Sequence, residues 1–426
     1  MRPPIAPPAF ARQVKQPDGR STYQANDGRK WEANREGRVT SFSKPGMEAH
    51  FDPNGRINHL RDDQRGITID RHLHGDQRII TEKPDHTRVV STGPSRGYVE
   101  RPFNRNGQAY VQRTYVAGGV SYTSVYRTYQ YQQVTIVQYV PAVYYPPGFY
   151  GWAYDPWGPR VVYAWGWNQD PWYGQYGYYF TPEPVYPSAS LWLTDFLLAA
   201  NLKLAYENQN ADNSDQTPPA PSDKGAPSAS ITPEMKQAIA AEVQREIQQE
   251  KAETTNPVTP SDTEKGPPPP NQTAVPPALD PNQRVFIVST NLDATNLDPP
   301  CELTPGDIIT RIDDKPSDGN NVRVMVMNTK PADCRPGSMP SIQISDLQEM
   351  HNSFRQQIDH GLGTLAQNQG KDGLPAAPDA TPNPVATSPL PPDSPMAVKT
   401  QLQWQAAGAH AAEQGVQVAA AGNRND

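Results

Sequence analysis

The chain is predicted to be mainly β with a few helices (α+β), and three observations carry that prediction. Glycines recur every nine residues at Gly19, Gly28, Gly37, Gly46 and Gly55. Residues 110–186 hold 17 of the 20 tyrosines and five of the eight tryptophans, which reads as a rigid, Pro- and Gly-punctuated aromatic-rich layer. Proline, at 48 of 426 residues, punctuates what remains. With only 35% hydrophobic residues, a core cannot run the whole length of the chain, so long segments read as linker or disordered tail.

The elements follow in order. Residues 1–12, rich in proline, read as a disordered tail. Residues 13–109 read as an antiparallel β-meander. Four of its five periodic glycines stand in turn triplets, Asp18-Gly19-Arg20, Asp27-Gly28-Arg29, Glu36-Gly37-Arg38 and Asn54-Gly55-Arg56. An acidic or Asn residue before Gly supplies the positive φ that tight hairpins need, and a nine-residue period leaves about six residues per strand. Within it, Phe51-Asp52-Pro53-Asn54-Gly55-Arg56-Ile57 resembles the YD repeat of RHS-type bacterial surface and toxin-shell proteins, whose pattern is an aromatic-Asp pair, two residues, then Gly-Arg and an aliphatic. The preceding unit departs, with Trp31-Glu32 standing two residues too early relative to Gly37-Arg38. The resemblance implies strand-turn architecture and covers under a fifth of the chain.

Residues 110–207 read as a Tyr/Trp/Pro-rich region. Tyr110 to Val116 and Val120 to Tyr126 alternate around Ala117-Gly118-Gly119, a hairpin signal. Gly151-Trp152-Ala153-Tyr154-Asp155-Pro156-Trp157 recurs fifteen residues later as Gly166-Trp167-Asn168-Gln169-Asp170-Pro171-Trp172. The shared Asp-Pro favours turn initiation, which reads Asp155 and Asp170 as repeated turn residues rather than the paired carboxylates of glycoside chemistry. A helix from Ser190 to about Glu207, apolar nearly all round, closes the region and must be packed against something.

Residues 208–282 read as Pro-rich linker interrupted by an amphipathic helix over 232–251. Thr232 can cap it, Pro233 suits its first position, and Met235, Ile239, Val243 and Ile247 form a narrow stripe for a partner surface or a coiled coil. Residues 283–372 read as a small β-barrel-like domain with a long helix that opens on the capping box Ser345-Asp346-Leu347-Gln348. Its segment Leu303-Thr304-Pro305-Gly306-Asp307-Ile308-Ile309-Thr310-Arg311-Ile312 resembles the Leu-x-x-Gly-Asp-x-Ile-x-x-Ile stretch of PDZ domains. That resemblance implies a peptide-binding adaptor, although here the helix comes last. Residues 373–426 read as a disordered Pro/Ala-rich tail.

Candidate chemistry is sparse. Cys301 and Cys334 are the only cysteines. Either they are two buried thiols, or a bridge closes a 33-residue loop worth about 3.5–4 kcal/mol in the chain-entropy view and implies an oxidising compartment. His72 and His74 share a strand face with no third ligand in view, so they read as exposed strand histidines. No catalytic residue, cofactor-binding residue or metal ligand set emerges, which reads the chain as not an enzyme. The aromatic block offers Trp152, Trp157, Trp165, Trp167, Trp172 and Tyr173 either as a binding surface or as the core of a fold poor in aliphatics. It holds no lysine, which argues against nucleic acid and leaves a cell-wall or exopolysaccharide polymer, or an envelope protein, as the expected partner.

Residues 1–140 carry 21 Lys and Arg against 13 Asp and Glu, and the remainder 17 against 32, an excess that reads as solvated strand faces. No transmembrane segment is expected, since Leu191 to Tyr206 is broken by Asp195, Asn201 and Lys203. No signal peptide stands at Met1 as written, which keeps a cytoplasmic location open. The order of parts, a Gly-Arg meander, a Tyr/Trp/Pro-rich block with Leu191-Trp192-Leu193-Thr194-Asp195, and a Cys-containing β domain, resembles envelope-associated bacterial proteins. That resemblance implies a periplasmic or extracellular structural or adhesive role.

Overall fold

The computed structural model describes residues 11–73, 77–93, 96–117, 120–212, 230–255, 274–316, 320–385 and 390–421. Among the sequence expectations, His74, Gly118 and Gly119, most of the N-terminal tail and most of the linker lie outside those residues. Two compact units divide the chain, unit 1 with residues 1–102, 113–123 and 391–426, and unit 2 with 103–112 and 124–390.

Thirteen strands form one antiparallel sheet in chain order: Arg12–Lys15 (β1), Ser21–Gln24 (β2), Lys30–Ala33 (β3), Val39–Lys44 (β4), Met47–Phe51 (β5), Ile57–Asp62 (β6), Ile67–Arg71 (β7), Gln77–Glu82 (β8), Arg88–Gly93 (β9), Arg96–Arg105 (β10), Gln108–Ala117 (β11), Val120–Tyr131 (β12) and Val134–Val140 (β13). The expected mainly β, α+β architecture is therefore present, and residues 110–140 continue the sheet.

The turns explain the period. Gly19, Gly28, Gly37 and Gly55 all hold φ between +77° and +87°. At each, the glycine N–H returns to the residue three before it, whose own N–H bonds the carbonyl of the following Arg: Gly19 N to Gln16 O at 3.0 Å, and Gln16 N to Arg20 O at 2.8 Å. This is the three-residue hairpin in which the left-handed position takes glycine. In the two triplets that open on Asp the carboxylate adds to this, since Asp18 Oδ1 accepts the Arg20 N–H and Oδ2 its guanidinium, and Asp27 repeats both bonds to Arg29. In the YD-like stretch, Asp52 Oδ1 accepts the N–H groups of Asn54 and Arg56, while Phe51 and Ile57 pair across β5 and β6 on the buried face.

In unit 1 that buried face, with Trp31, Phe42, Ala49, Leu60 and Ile69, is covered by the helix Pro395–Ala421, which presents Ala409, Ala412, Val416 and Ala420. The expected disordered tail over 373–426 is corrected here. Small side chains bring this helix close to the sheet: a Cβ on Gly408 would stand 3.0 Å from Ile67 Cδ1. Trp31 Nε1 donates to Ala420 O at 3.1 Å, and Gln405 Nε2 donates to the carbonyls of Ile79 and Val89. The sheet supplies nearly all the hydrophobicity, so the helix needs only good helix formers and a smooth face.

Unit 2 contains Val143–Tyr144 (β14), Pro147–Tyr154 (α1), Pro171–Tyr176 (α2), Ala189–Asp212 (α3), Pro233–Thr255 (α4), Val285–Ile287 (β15), Leu292–Ala294 (β16), Cys301–Leu303 (β17), Ile308–Arg311 (β18), Asn321–Asn328 (β19), Ser341–Gln343 (β20), Ile344–Asn368 (α5) and Asn383–Pro384 (β21); the unit 1 helix Pro395–Ala421 is α6. Strands β15, β18, β19 and β20 form a four-stranded antiparallel sheet, β16 pairs β17, and β14 pairs β21. The expected linker helix is α4. Thr232 Oγ1 accepts the Met235 N–H at 3.3 Å, and Ile239, Val243 and Ile247 pack into the aromatic core of the same unit.

The α5 stripe Leu347, Met350, Phe354, Ile358, Leu362 and Leu365 is buried as its spacing requires. The capping box is not formed. Helix α5 begins a residue earlier, and Gln348 is buried, accepting the Ala278 N–H and donating to Asn352. Asn352 in turn accepts the Tyr139 N–H at 2.9 Å and donates to Val137 O at 2.7 Å, so one side chain occupies the edge of β13. Among the described residues no helix is long and apolar enough to cross a membrane.

Candidate functional site

The two Gly-Trp…Asp-Pro-Trp repeats build different things from similar letters. Asp155 ends α1, its N–H bonding Gly151 O at 2.8 Å. Asp170 precedes α2, with Pro171 at the first helical position and the Trp172 indole N–H donating to its carboxylate at 3.2 Å. Both residues stand at helix boundaries, Asp155 after α1 and Asp170 before α2, without a carboxylate cap on either helix.

Of the six residues expected as an aromatic surface, Trp157 and Trp172 are buried, while Trp152, Trp165, Trp167 and Tyr173 are half-buried against the same core. Phe149, Trp152 and Trp157 stack in sequence at centroid spacings of 5.4 Å. Trp165 lies between Trp167 at 4.3 Å and Trp192 at 4.6 Å, and its indole N–H donates to Tyr186 OH at 2.6 Å. Rings at these distances are packing one another, so most of the block is core. The exception is an open groove of about 450 Å³ where Trp152 and Trp157 meet Asp155, the small residues Gly148, Gly151 and Gly158, and a wall of Pro375 and Pro378. The buried indole N–H groups of Trp152 and Trp157 find no acceptor among the described residues. Proline and glycine keep the lining shallow and uncharged, and Asp155 is its one ionisable side chain.

The same unit holds a buried charged anchor. Asp195, the last residue of the Leu-Trp-Leu-Thr-Asp stretch, is wholly buried on α3. It faces Lys236 of α4 at 2.9 Å and accepts from the Tyr186 hydroxyl at 2.6 Å and the Glu183 N–H at 2.5 Å. Burial raises its carboxyl above the usual range, against the pull of Lys236 and those donors. This buried ion pair ties α3 to α4 within the unit.

A second charged cluster was not foreseen from sequence. Glu246, Glu250 and Glu253 of α4 surround Arg355 of α5 at 3.7, 3.8 and 2.6 Å. Asp359 accepts from Tyr139 OH at 2.7 Å, and His351 lies 3.7 Å from Glu246. Burial raises Glu246, Glu250 and Asp359. Burial alone would depress Arg355, but the carboxylates around it more than offset this and hold its proton. Burial, with Arg355 adding to it, lowers His351 to about 3. An i, i+4, i+7 run of acids on α4 was visible as a helical face, but nothing local showed that the face is buried.

In the β domain, Cys301 and Cys334 are bridged, with Cα atoms 5.0 Å apart. The Gly306-Asp307 turn has a packing reason: Gly306 holds φ +94°, and a Cβ there would stand 2.7 Å from Leu202 Cδ2. Asp307 accepts the Thr304 and Lys330 N–H groups and pairs with the buried Lys330 ammonium. Burial works against the charge on Lys330, but Asp307 and Asp333 outweigh it and keep the proton in place. At the start of β15 the N–H groups of Arg284 and Val285 go to Glu242 Oε1 of α4, at 3.2 and 3.3 Å. Both edge strands, β15 and β20, are three residues long. A PDZ-style added peptide strand needs a longer and freer edge.

No family model matches the chain, and no curated protein matches it. Among solved structures, the TCP10c domain of Drosophila melanogaster Sas-4 is similar to it at 10% identity and a TM-score of 0.13, over 30% of this chain and 86% of that one. A likeness at that level carries no argument about fold or function.

Proposed function

We propose that this chain is a non-catalytic structural or adhesive protein of the bacterial cell envelope, holding a polymer or partner through its aromatic block. The Trp152–Trp157 groove carries this reading. It presents indole surface and one carboxylate on a shallow, otherwise neutral bed. Sugar rings suit such a bed, with C–H faces against indole and hydroxyls donating to the carboxylate. A nucleic acid would need cations that the lining lacks. A cell-wall or exopolysaccharide chain is therefore the favoured ligand class. The Cys301–Cys334 bridge supports a periplasmic or extracellular setting, since such bridges persist where thiols are not kept reduced.

The test is retention of the full-length protein on cell-wall, exopolysaccharide and envelope fractions, beside Trp152→Ala and Asp155→Asn variants checked for fold by circular dichroism. Wild type is expected to be retained. Loss of the Trp152 anchor should weaken retention about tenfold or more, and Asp155→Asn less. Absence of wild-type retention on every fraction overturns the proposal, and equal retention of all three proteins removes the groove from it.

A further inference from the structure

A row of polar side chains crosses the solvent face of the unit 1 meander. Strand pairing sets Ser41 opposite His50, His50 opposite His59, and His59 opposite Asp70 across β4, β5, β6 and β7. Alternation fixes the face: Met47, Ala49, Phe51 and Leu60 are buried, so their neighbours His50 and His59 project the other way. The two imidazoles stand with ring centroids 5.7 Å apart. Each already has a carboxylate partner. His59 Nδ1–H donates to Asp70 Oδ1 at 2.7 Å, and His50 Nε2–H donates to Glu48 Oε1 at 3.0 Å. Those bonds set the tautomers, and leave the lone pairs on Nε2 of His59 and Nδ1 of His50.

We infer that His50 and His59 form a surface site for a divalent transition-metal ion of the zinc, copper and nickel class, with Asp70 and Glu48 as positioning residues. A carboxylate on the second ring nitrogen is the partner that metal-binding histidines usually have, because it orients the ring and makes the free nitrogen more basic. A metal about 2.0–2.1 Å from each ligating nitrogen puts ring centroids roughly 5–6 Å apart at near-tetrahedral ligand angles, and the observed spacing lies in that interval. Imidazole selects borderline transition metals over calcium or magnesium. Two protein ligands leave the other coordination positions to water or an incoming group, so the site is open rather than a closed structural one. It also lies on a rigid sheet, between adjacent strands whose register cannot slip without exposing Phe51 and Leu60.

His86 supplies an internal control. It lies in the turn between β8 and β9 and contacts Glu82 at 3.1 Å on the exposed surface, a histidine–carboxylate pair with no cross-strand histidine opposite it among the described residues. The experiment is calorimetric titration of untagged, chelator-treated full-length protein with zinc chloride. Wild type, His50→Ala, His59→Ala, the double variant and His86→Ala are compared, each checked for fold by circular dichroism. Wild type and His86→Ala are expected to take up the same zinc ion. Each single variant should bind it at least tenfold more weakly, and the double variant should lose it. Asp70→Asn, which keeps both ligands, should weaken binding by roughly tenfold. An isotherm unchanged in the double variant, or no zinc uptake by wild type, overturns the inference.

Discussion

Arg355 stands among Glu246, Glu250, Glu253 and Asp359 inside unit 2, and one guanidinium cannot neutralise four carboxylates, of which Glu246 and Glu250 are buried. Burial offsets part of the excess by raising Glu246, Glu250 and Asp359 so that they keep their protons, while at Glu253 the Arg355 charge outweighs burial and holds the carboxyl low. A carboxyl that is protonated when folded and ionised when unfolded contributes stability below the ordinary carboxylate range. That contribution is lost as pH rises through the raised folded value. His351 has the opposite sign. Held neutral by a value near 3, it costs stability only as pH falls below the ordinary histidine value of about 6.5. The melting temperature of the protein is therefore expected to fall as pH climbs above the ordinary carboxylate value of about 4, and Glu250→Gln, which removes one titration, should flatten that fall. Parallel slopes for the two proteins would count against a protonated Glu250 in the folded chain. At this scale the sequence was legible wherever a residue acts on its own turn. Asp18, Asp27 and Asp52 bond N–H groups within four residues, and composition alone announced them. Asp195, Glu250 and Asp359 act through partners far along the chain, so their identity was visible and their burial was not.

Helix α6 shows the same limit at the scale of elements. Its Ala- and Gln-rich sequence carries almost no apolar period, because the sheet face it covers already supplies Trp31, Phe42 and Leu60. Read alone, such a segment looks like a tail. Strands β4 to β6 were legible, since their hydrophobic alternation and nine-residue turns are both local. The register that aligns His50 with His59, one period apart, was implicit in that spacing. The groove was only half legible: Trp152 and Trp157 were visible, but Pro375 and Pro378 come from more than two hundred residues away. Ala412→Asp, which buries a charge between α6 and the sheet, is expected to cost about 3–5 kcal/mol. Ala411→Asp, on the exposed side of the next position, should stay within about 0.5 kcal/mol. Urea unfolding of both variants, with dye binding to exposed apolar surface, measures this. Equal midpoints would mean that α6 is not a working part of the unit 1 core.

For the molecule as a whole, the Cys301–Cys334 bridge ties location to stability. Closing a 33-residue loop contributes about 3.5–4 kcal/mol in the chain-entropy account, so reductant should lower the unfolding midpoint of the intact protein. Intact mass of protein from its native host, by cell fraction and with thiol alkylation, should give the bridged form in the envelope. Recovery from cytosol with two alkylatable thiols would discard the envelope proposal. Unit 1 raises a different matter, one of timing. The indole of Trp31 waits for a carbonyl 389 residues further along. At ribosomal speeds of about 5–20 residues per second, the strands β1 to β9 can zip up turn by turn while their greasy side stays bare for roughly 20–80 s. Throughout that interval the nascent chain offers a wide, sticky ribbon to any holdase or neighbouring polysome. Its last helix is thus less an appendage than the stopper that ends this exposure.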